Sequence, residues 1–321
     1  MKMTKRKTPT VTDLSPRQSD FLTDVLNGLT SPQKTIESKY FYDHTGSQLF
    51  EKITKLDEYY QTRTEMTILR EELPSIFQRI GDDVNLIELG SGSSKKTRIL
   101  LDENKFNRYI PVDISKTMLT DTVNTLHQVY PHLSINAIVA DYTRPFSLSK
   151  LGRNKKVIFY PGSTIGNFEP KEAARFLKQL SQMLSPGDGL LIGVDLQKDS
   201  HFIENAYNDK QGITAAFNKN LLTRMNQELN TSFQTQHFSH YSFYSEEKAR
   251  IEMHLVSNIP QSVEVNNQTI VFEKDESIHT ENSYKYSISS FQNLCLRNGF
   301  KPIDVYVDRN EWFSIHYLEI I

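Results

Sequence analysis

Cysteine occurs once in these 321 residues, at Cys295, and tryptophan once, at Trp312. A single thiol excludes an intrachain disulfide and a cysteine-rich metal site, and it fits a reducing compartment. With Phe291, Leu294 and Leu296 around it, Cys295 reads as a buried helical thiol rather than a nucleophile. Long apolar runs are also missing. No stretch approaches the roughly 20 apolar residues of a membrane span. The basic start (Lys2, Lys5, Arg6, Lys7) is not followed by the apolar segment of a signal peptide. Charge of one sign is missing too: the net charge is -2, so nothing predicts a broad attraction to nucleic acid or anionic lipid. The nine histidines show no HExxH spacing or other local metal motif, so no metal is expected. These absences leave a globular chain, expected to be a cytoplasmic monomer with a small-molecule partner and neither nucleic acid nor membrane.

What is present is alternation. Strand-like runs fall at 84–89, 108–112, 133–139, 156–160 and 189–195, with helical patterns at 95–102, 116–129 and 170–184, the last with Pro170 at its first helical position. Strands alternating with helices predict a parallel, doubly wound α/β sheet. Helical sequence over 64–79, with a break or kink near Pro74, precedes it. After Asp195 the rhythm changes to helices near 199–208 and 212–229, then strands over 234–244, 249–257, 262–265 and 268–272. A helix over 287–298 and strands at 302–308 and 312–318 close the chain. The division expected is a core of 64–197 plus 287–321, a smaller α+β lobe of 13–63 plus 198–286, and a disordered tail over 1–12. A crevice between lobes is where a small-molecule site is expected.

Glu88-Leu89-Gly90-Ser91-Gly92-Ser93-Ser94-Lys95-Lys96 places a glycine turn between a strand and a helix. Glycine permits the tight turn and a close approach of backbone to ligand, and the strand's carboxyl end is the expected ligand crevice. Lys95 stands at the third glycine position of a dinucleotide G-x-G-x-x-G, and no Gly-Lys-[Ser/Thr] follows, so neither nucleotide motif is complete. The run resembles the first motif of class I S-adenosylmethionine (SAM)-dependent methyltransferases. Two acids follow at successive strand ends. Asp113 is placed to accept from a ribose diol, and Asp141, followed by Tyr142, to bind an adenine amine and cover its ring. Either acid alone reads equally well as a helix N-cap.

Longer motifs sharpen this. Lys39-Tyr40-Phe41-Tyr42-Asp43, Gly46-Ser47-Gln48-Leu49-Phe50, Glu58-Tyr59-Tyr60-Gln61-Thr62-Arg63, Gly162-Ser163-Thr164-Ile165-Gly166-Asn167, Ala206-Tyr207-Asn208-Asp209, Gly212-Ile213-Thr214-Ala215-Ala216-Phe217-Asn218, Ile251-Glu252-Met253 and Thr280-Glu281-Asn282-Ser283 resemble the histidine-specific methyltransferase family from about residue 20 to 320. The resemblance implies a Rossmann-like SAM-binding sheet with a second, substrate-binding lobe. It also implies three successive methyl transfers to the α-amine of L-histidine, giving hercynine for ergothioneine biosynthesis. By motif position, Gly90, Gly92, Lys96, Asp113, Asp141 and Tyr142 match cofactor positions. Asn167 and Tyr207 are similar to residues that hold the substrate's carboxylate and amine, and Glu281 and Ser283 to the pair that reads its imidazole. Tyr59 and Met253 match pocket positions, and Tyr42 is the candidate catalytic residue. Asn282 stands where an apolar residue is expected.

The residue types suit that chemistry. In-line methyl transfer from a sulfonium needs mainly positioning. The substrate ammonium must first lose a proton, which a neighbouring cation favours, and a tyrosine hydroxyl or a water can relay it. Imidazole has two nitrogens, one for a carboxylate acceptor and one for a hydroxyl. Alternate residues of an extended segment point the same way, so Glu281 and Ser283 can face one ligand. Two other readings stand beside this one. A tryptophan-derived amine as substrate would leave the Glu281 carboxylate unpaired at an indole edge. A catalytically silent SAM-binding module would lack the substrate set.

Overall fold

The computed structural model describes residues 8–14, 18–144 and 154–321. The chain divides into two units: Met1–Ser15, Gln61–Gln197 and Lys285–Ile321 in the first, Pro16–Tyr60 and Lys198–Tyr284 in the second.

The first unit is built on an eight-stranded sheet in the order Thr10–Leu14, Ser134–Ala140, Phe106–Asp113, Val84–Leu89, Lys156–Tyr160, Gly189–Asp195, Phe313–Ile320, Phe300–Val307. The first six strands are parallel, and the last two pair antiparallel. Val84–Leu89 and Gly189–Asp195 are buried along their whole length, which is why they read as continuous apolar runs. Successive residues serve opposite faces. Leu86, Tyr109, Val157 and Leu191 join one core with Ile76, Phe77, Leu119 and Val123, whereas Ile87, Ile110, Ile158 and Leu190 join a second with Phe176, Leu177, Leu180 and Phe291. Pro170–Met183 starts with a Glu169/Glu172 capping box and Pro170. Helices thus cover both faces of the sheet, the doubly wound α/β arrangement that the alternation predicts.

Two features depart from the sequence reading, and a third settles an alternative it left open. Thr10–Leu14, partly inside the expected tail, is an edge strand parallel to Ser134–Ala140; residues 1–7 of that tail lie outside the described residues, as do 15–17 ahead of the helix Gln18–Leu29. Ser277–Tyr284, read from sequence only as an extended segment around Glu281 and Ser283 and not given bounds, is a strand. Near Pro74 the helical sequence breaks rather than kinks: Tyr60–Glu71 ends before it, and Pro74 lies in the first turn of a second helix, Leu73–Ile80.

The second unit holds a four-stranded sheet, Lys34–Thr35, Ser277–Tyr284, Arg250–Ser257, Phe238–Ser245, and a hairpin, Gln261–Val265 with Gln268–Phe272. Asn266 and Asn267 turn the hairpin at φ 47° and 63°, the left-handed values a two-residue turn requires. The helix Ile213–Leu229 buries Phe217, Asn218, Leu221, Leu222 and Met225.

One buried group of the first unit makes stability depend on pH. His316 is fully buried, with Nε2 2.9 Å from Ser314 Oγ and Nδ1 without a partner among the described residues. Burial lowers its pKa to about 4. The unfolded imidazole takes a proton near pH 6.5 and the folded one does not, so stability present above pH 6.5 is lost as pH falls toward 4. The loss is about 3 kcal/mol at roughly 1.4 kcal/mol per unit. Urea unfolding at pH 7 and 4.5 is expected to show it in the native chain and not in His316→Gln; equal slopes for both would refute it.

Candidate active site

The sheet order reverses between Val84–Leu89 and Lys156–Tyr160, and loops at the carboxyl ends of these two strands flank the switch point. The first is the glycine turn. Gly90 and Gly92 have φ 70° and 48°, values that strain any side chain. A Cβ on Gly90 would meet the Tyr142 hydroxyl at 3.6 Å, so the tyrosine stands over the bare turn. Asp113 ties the turn down: Oδ2 accepts from Gly92 N at 2.8 Å and Oδ1 from Ser115 N at 2.9 Å. Burial raises its pKa, against the backbone N–H groups that favour the carboxylate. Asp141 is buried and accepts from Thr143 N at 3.0 Å and from Thr143 Oγ1 at 2.5 Å. Backbone N–H groups, two acids at strand ends and a ring over a glycine suit an adenosyl group. The six cofactor candidates therefore lie around one turn, with the ammonium of Lys96 directed elsewhere.

That direction reveals a residue the sequence did not single out. Glu65, on the helix Tyr60–Glu71, has a fully buried carboxylate that pairs with Lys96 Nζ at 2.5 Å. The same carboxylate accepts from Gly162 N at 2.9 and 3.0 Å. It joins the helix after the glycine turn to the loop that carries Asn167. Gly193 makes room: a Cβ there would lie 2.1 Å from Glu65 Oε1. Ser163 takes φ 56° and its Oγ accepts from Asp195 N, so the loop is held from both sides. Asn167 ends the short helix Thr164–Asn167, half-buried, with no hydrogen-bond partner for its amide among the described residues.

Under the turn lies Glu88, almost fully buried, accepting from Tyr109 Oη and Ser94 Oγ. Burial raises it to about 7, despite the hydroxyls around it. Its partners lie inside the fold, so it reads as a brace for the turn.

The second unit contains the other candidates. Met253, on Arg250–Ser257, is opposite Glu281, and Ile251 is opposite Ser283, so Glu281, Ser283 and Met253 share one face of the sheet. The Tyr207 hydroxyl donates to Ser283 Oγ at 2.8 Å. Tyr59 meets Tyr207 edge-on at 6.4 Å and Phe50 at 6.1 Å, and Tyr42 meets Phe50 at 5.7 Å and Phe217 at 5.9 Å. Tyr42, Tyr59, Tyr207, Ser283, Glu281 and Met253 thus follow one another through ring contacts, a hydrogen bond and strand pairing.

Over residues 21–320 the chain matches the family described as histidine-specific methyltransferase, SAM-dependent. The chain belongs to this family. It is 40% identical over 270 residues to the histidine N-alpha-methyltransferase of Mycolicibacterium smegmatis, covering 82% of this chain and 83% of that one. A protein of the same name from Mycobacterium tuberculosis is 38% identical over 269 residues, with the same coverage. The ergothioneine biosynthesis protein 1 of Neurospora crassa is 33% identical over 290 residues, 86% of this chain and 32% of that larger protein.

Several signature residues of this methyltransferase do structural work. Asp43 caps His44–Ile53 by accepting from Gly46 N at 2.6 Å. A Cβ on Gly46 would lie 1.7 Å from the Phe41 carbonyl oxygen, so only glycine fits. Asp209 accepts from Ile213 N and Thr214 N at 2.9 and 2.8 Å, starting the long helix.

Strand pairing also assembles a cluster no local spacing reveals: ligand-type atoms of Glu252, His254 and His279 lie within 4.8 Å of one another. Arg250 Nη2 at 2.6 Å and Lys248 Nζ at 3.2 Å already neutralise Glu252. Burial opposes ionisation there, but the Arg250 and Lys248 interactions outweigh it and hold the carboxyl at about 2. Two resident cations oppose a third, so the cluster is a satisfied ion-pair network rather than a ready metal site. No helix among the described residues is long and apolar enough to cross a membrane.

Proposed function

We propose that this methyltransferase transfers methyl groups from SAM to the α-amine of L-histidine, in three successive steps that give hercynine for ergothioneine biosynthesis. The observation that carries the reading is the shared face of Glu281 and Ser283, with Ser283 accepting from Tyr207. A carboxylate can accept from one imidazole N–H, and a hydroxyl can serve the other nitrogen. Asn167 holds the substrate carboxylate. Met253 and Tyr59 line the pocket, and Tyr42 relays the proton that leaves the amine. Gly90, Gly92, Asp113, Asp141 and Tyr142 hold the cofactor, with Lys96 braced by Glu65. When bound, SAM supplies an electrophilic methyl group. The chain's own residues orient the amine and keep its environment aromatic, which suits a head group that becomes quaternary. The enzyme works as a cytoplasmic monomer without nucleic acid, in keeping with its near-neutral charge.

The test is incubation with SAM and each of the twenty amino acids, with products followed by mass. Mono-, di- and trimethylated histidine are expected. Asn167→Ala is expected to lower kcat/KM for histidine by about ten- to a hundredfold, the worth of one or two hydrogen bonds to a charged group. Methylation of another amine in place of histidine would overturn the substrate.

A further inference from the structure

The candidate imidazole readers sit just past a β-bulge. Ser277, Ile278 and His279 pair with Val256, Leu255 and His254, but Glu281 pairs with Met253, leaving Thr280 as the extra residue. The consequence is a change of face. Without the bulge, Glu281 would lie opposite Glu252 and Ser283 opposite Arg250, on the side of the Arg250–Glu252–His254 network. With it, both lie on the face of Met253 and Ile251. An extra residue leaves part of a ladder unmatched, so something must hold it.

Asn218 is that something. It is fully buried on Ile213–Leu229 and has almost every hydrogen-bonding position engaged. Its Oδ1 accepts from the Thr280 hydroxyl at 2.8 Å, which also lies 3.1 Å from the Met253 carbonyl. Its Nδ2 donates to the His254 carbonyl at 3.0 Å and to His240 Nδ1 at 2.9 Å. With Nδ1 accepting, His240 carries its proton on Nε2 and donates to the Tyr207 carbonyl at 3.0 Å. Burial lowers the pKa of His240, in keeping with the neutral ring this requires. The ring of contacts closes through the Tyr207 hydroxyl on Ser283.

We infer that Asn218, with Thr280 and His240, is a positioning device that locks the bulge and so turns Glu281 and Ser283, together with Tyr207, toward the substrate. The inference rests on the substrate roles proposed above. It assigns work to residues that touch no substrate and that sit in motifs otherwise read as helix and strand.

The decisive variant is Thr280→Val, which keeps the shape and removes the hydroxyl, compared with Thr280→Ser, which keeps the hydroxyl. Thr280→Val is expected to raise KM for histidine by about tenfold, with SAM affinity unchanged; Thr280→Ser should stay within about twofold of native. Asn218→Ala should act in the same direction and further. In a Glu281→Ala background, Thr280→Val should cost clearly less than it does in the native enzyme, because one of the groups it positions is gone. If Glu281→Ala is damaging and Thr280→Val is silent, the inference fails and the substrate reading stands. If neither changes KM, the substrate reading fails and takes the inference with it. Loss of SAM affinity in Thr280→Val, or an undiminished effect beside Glu281→Ala, would reveal general packing and overturn the positioning role.

Discussion

Asp113→Ala is expected to raise the dissociation constant for SAM about a thousandfold while leaving a folded protein. The carboxylate has two jobs in the proposed site. It fixes the glycine turn through Gly92 N at 2.8 Å and the following helix through Ser115 N at 2.9 Å. It is also the acid at the strand end expected to accept from a ribose diol. Hydrogen bonds to a charged acceptor are worth about 1.5–3 kcal/mol each. Two to the ribose, with a slackened turn added, come to about 4 kcal/mol, or roughly three decades. Asp113→Asn keeps one acceptor oxygen but sets an amide against a donor, so about tens-fold weakening is expected. Isothermal titration with SAM separates these values. A change of less than tenfold in the alanine variant would mean that Asp113 only ties its own loop and that the ribose is held elsewhere.

The half of the molecule that would answer to that change was the more readable one. Its strands are buried on both faces, so Val84–Leu89 and Gly189–Asp195 stand out as apolar blocks bounded by turn residues. Residues close in sequence also make the glycine turn, so motif and geometry coincide. Other elements carried no such signal. Thr10–Leu14 is exposed at every position, so no buried face imposed a pattern on it. Ser277–Tyr284 is polar and changes face at Thr280, and this breaks the period-two rhythm by which a strand is recognised. Glu65 meets its partners 31 and 97 residues away, and the histidine cluster forms only when two strands pair. In each case the missing information was tertiary: a register, a bulge or a buried charge with a distant partner.

Within that less legible half, Glu281→Ala is expected to lower kcat/KM for histidine by about two to three decades, mostly through KM, with SAM affinity unchanged. The carboxylate shares a face with Met253 and Ser283, and the proposed partner is an imidazole N–H. Removing the acceptor forfeits a charge-assisted bond of about 1.5–3 kcal/mol. It also strands the substrate's own donor in a site built to receive it, and such sites discriminate by far more than apolar ones do. The bond exists in both the bound and reacting states, so the loss falls on binding before chemistry. Specificity should move as well. With the carboxylate gone, the site loses the acceptor that favours a ring N–H, so the preference for histidine over phenylalanine should narrow by at least tenfold. A Glu281→Ala enzyme that keeps its KM for histidine within about threefold would assign the imidazole to other residues, and the Glu281–Ser283 face would then need a different ligand.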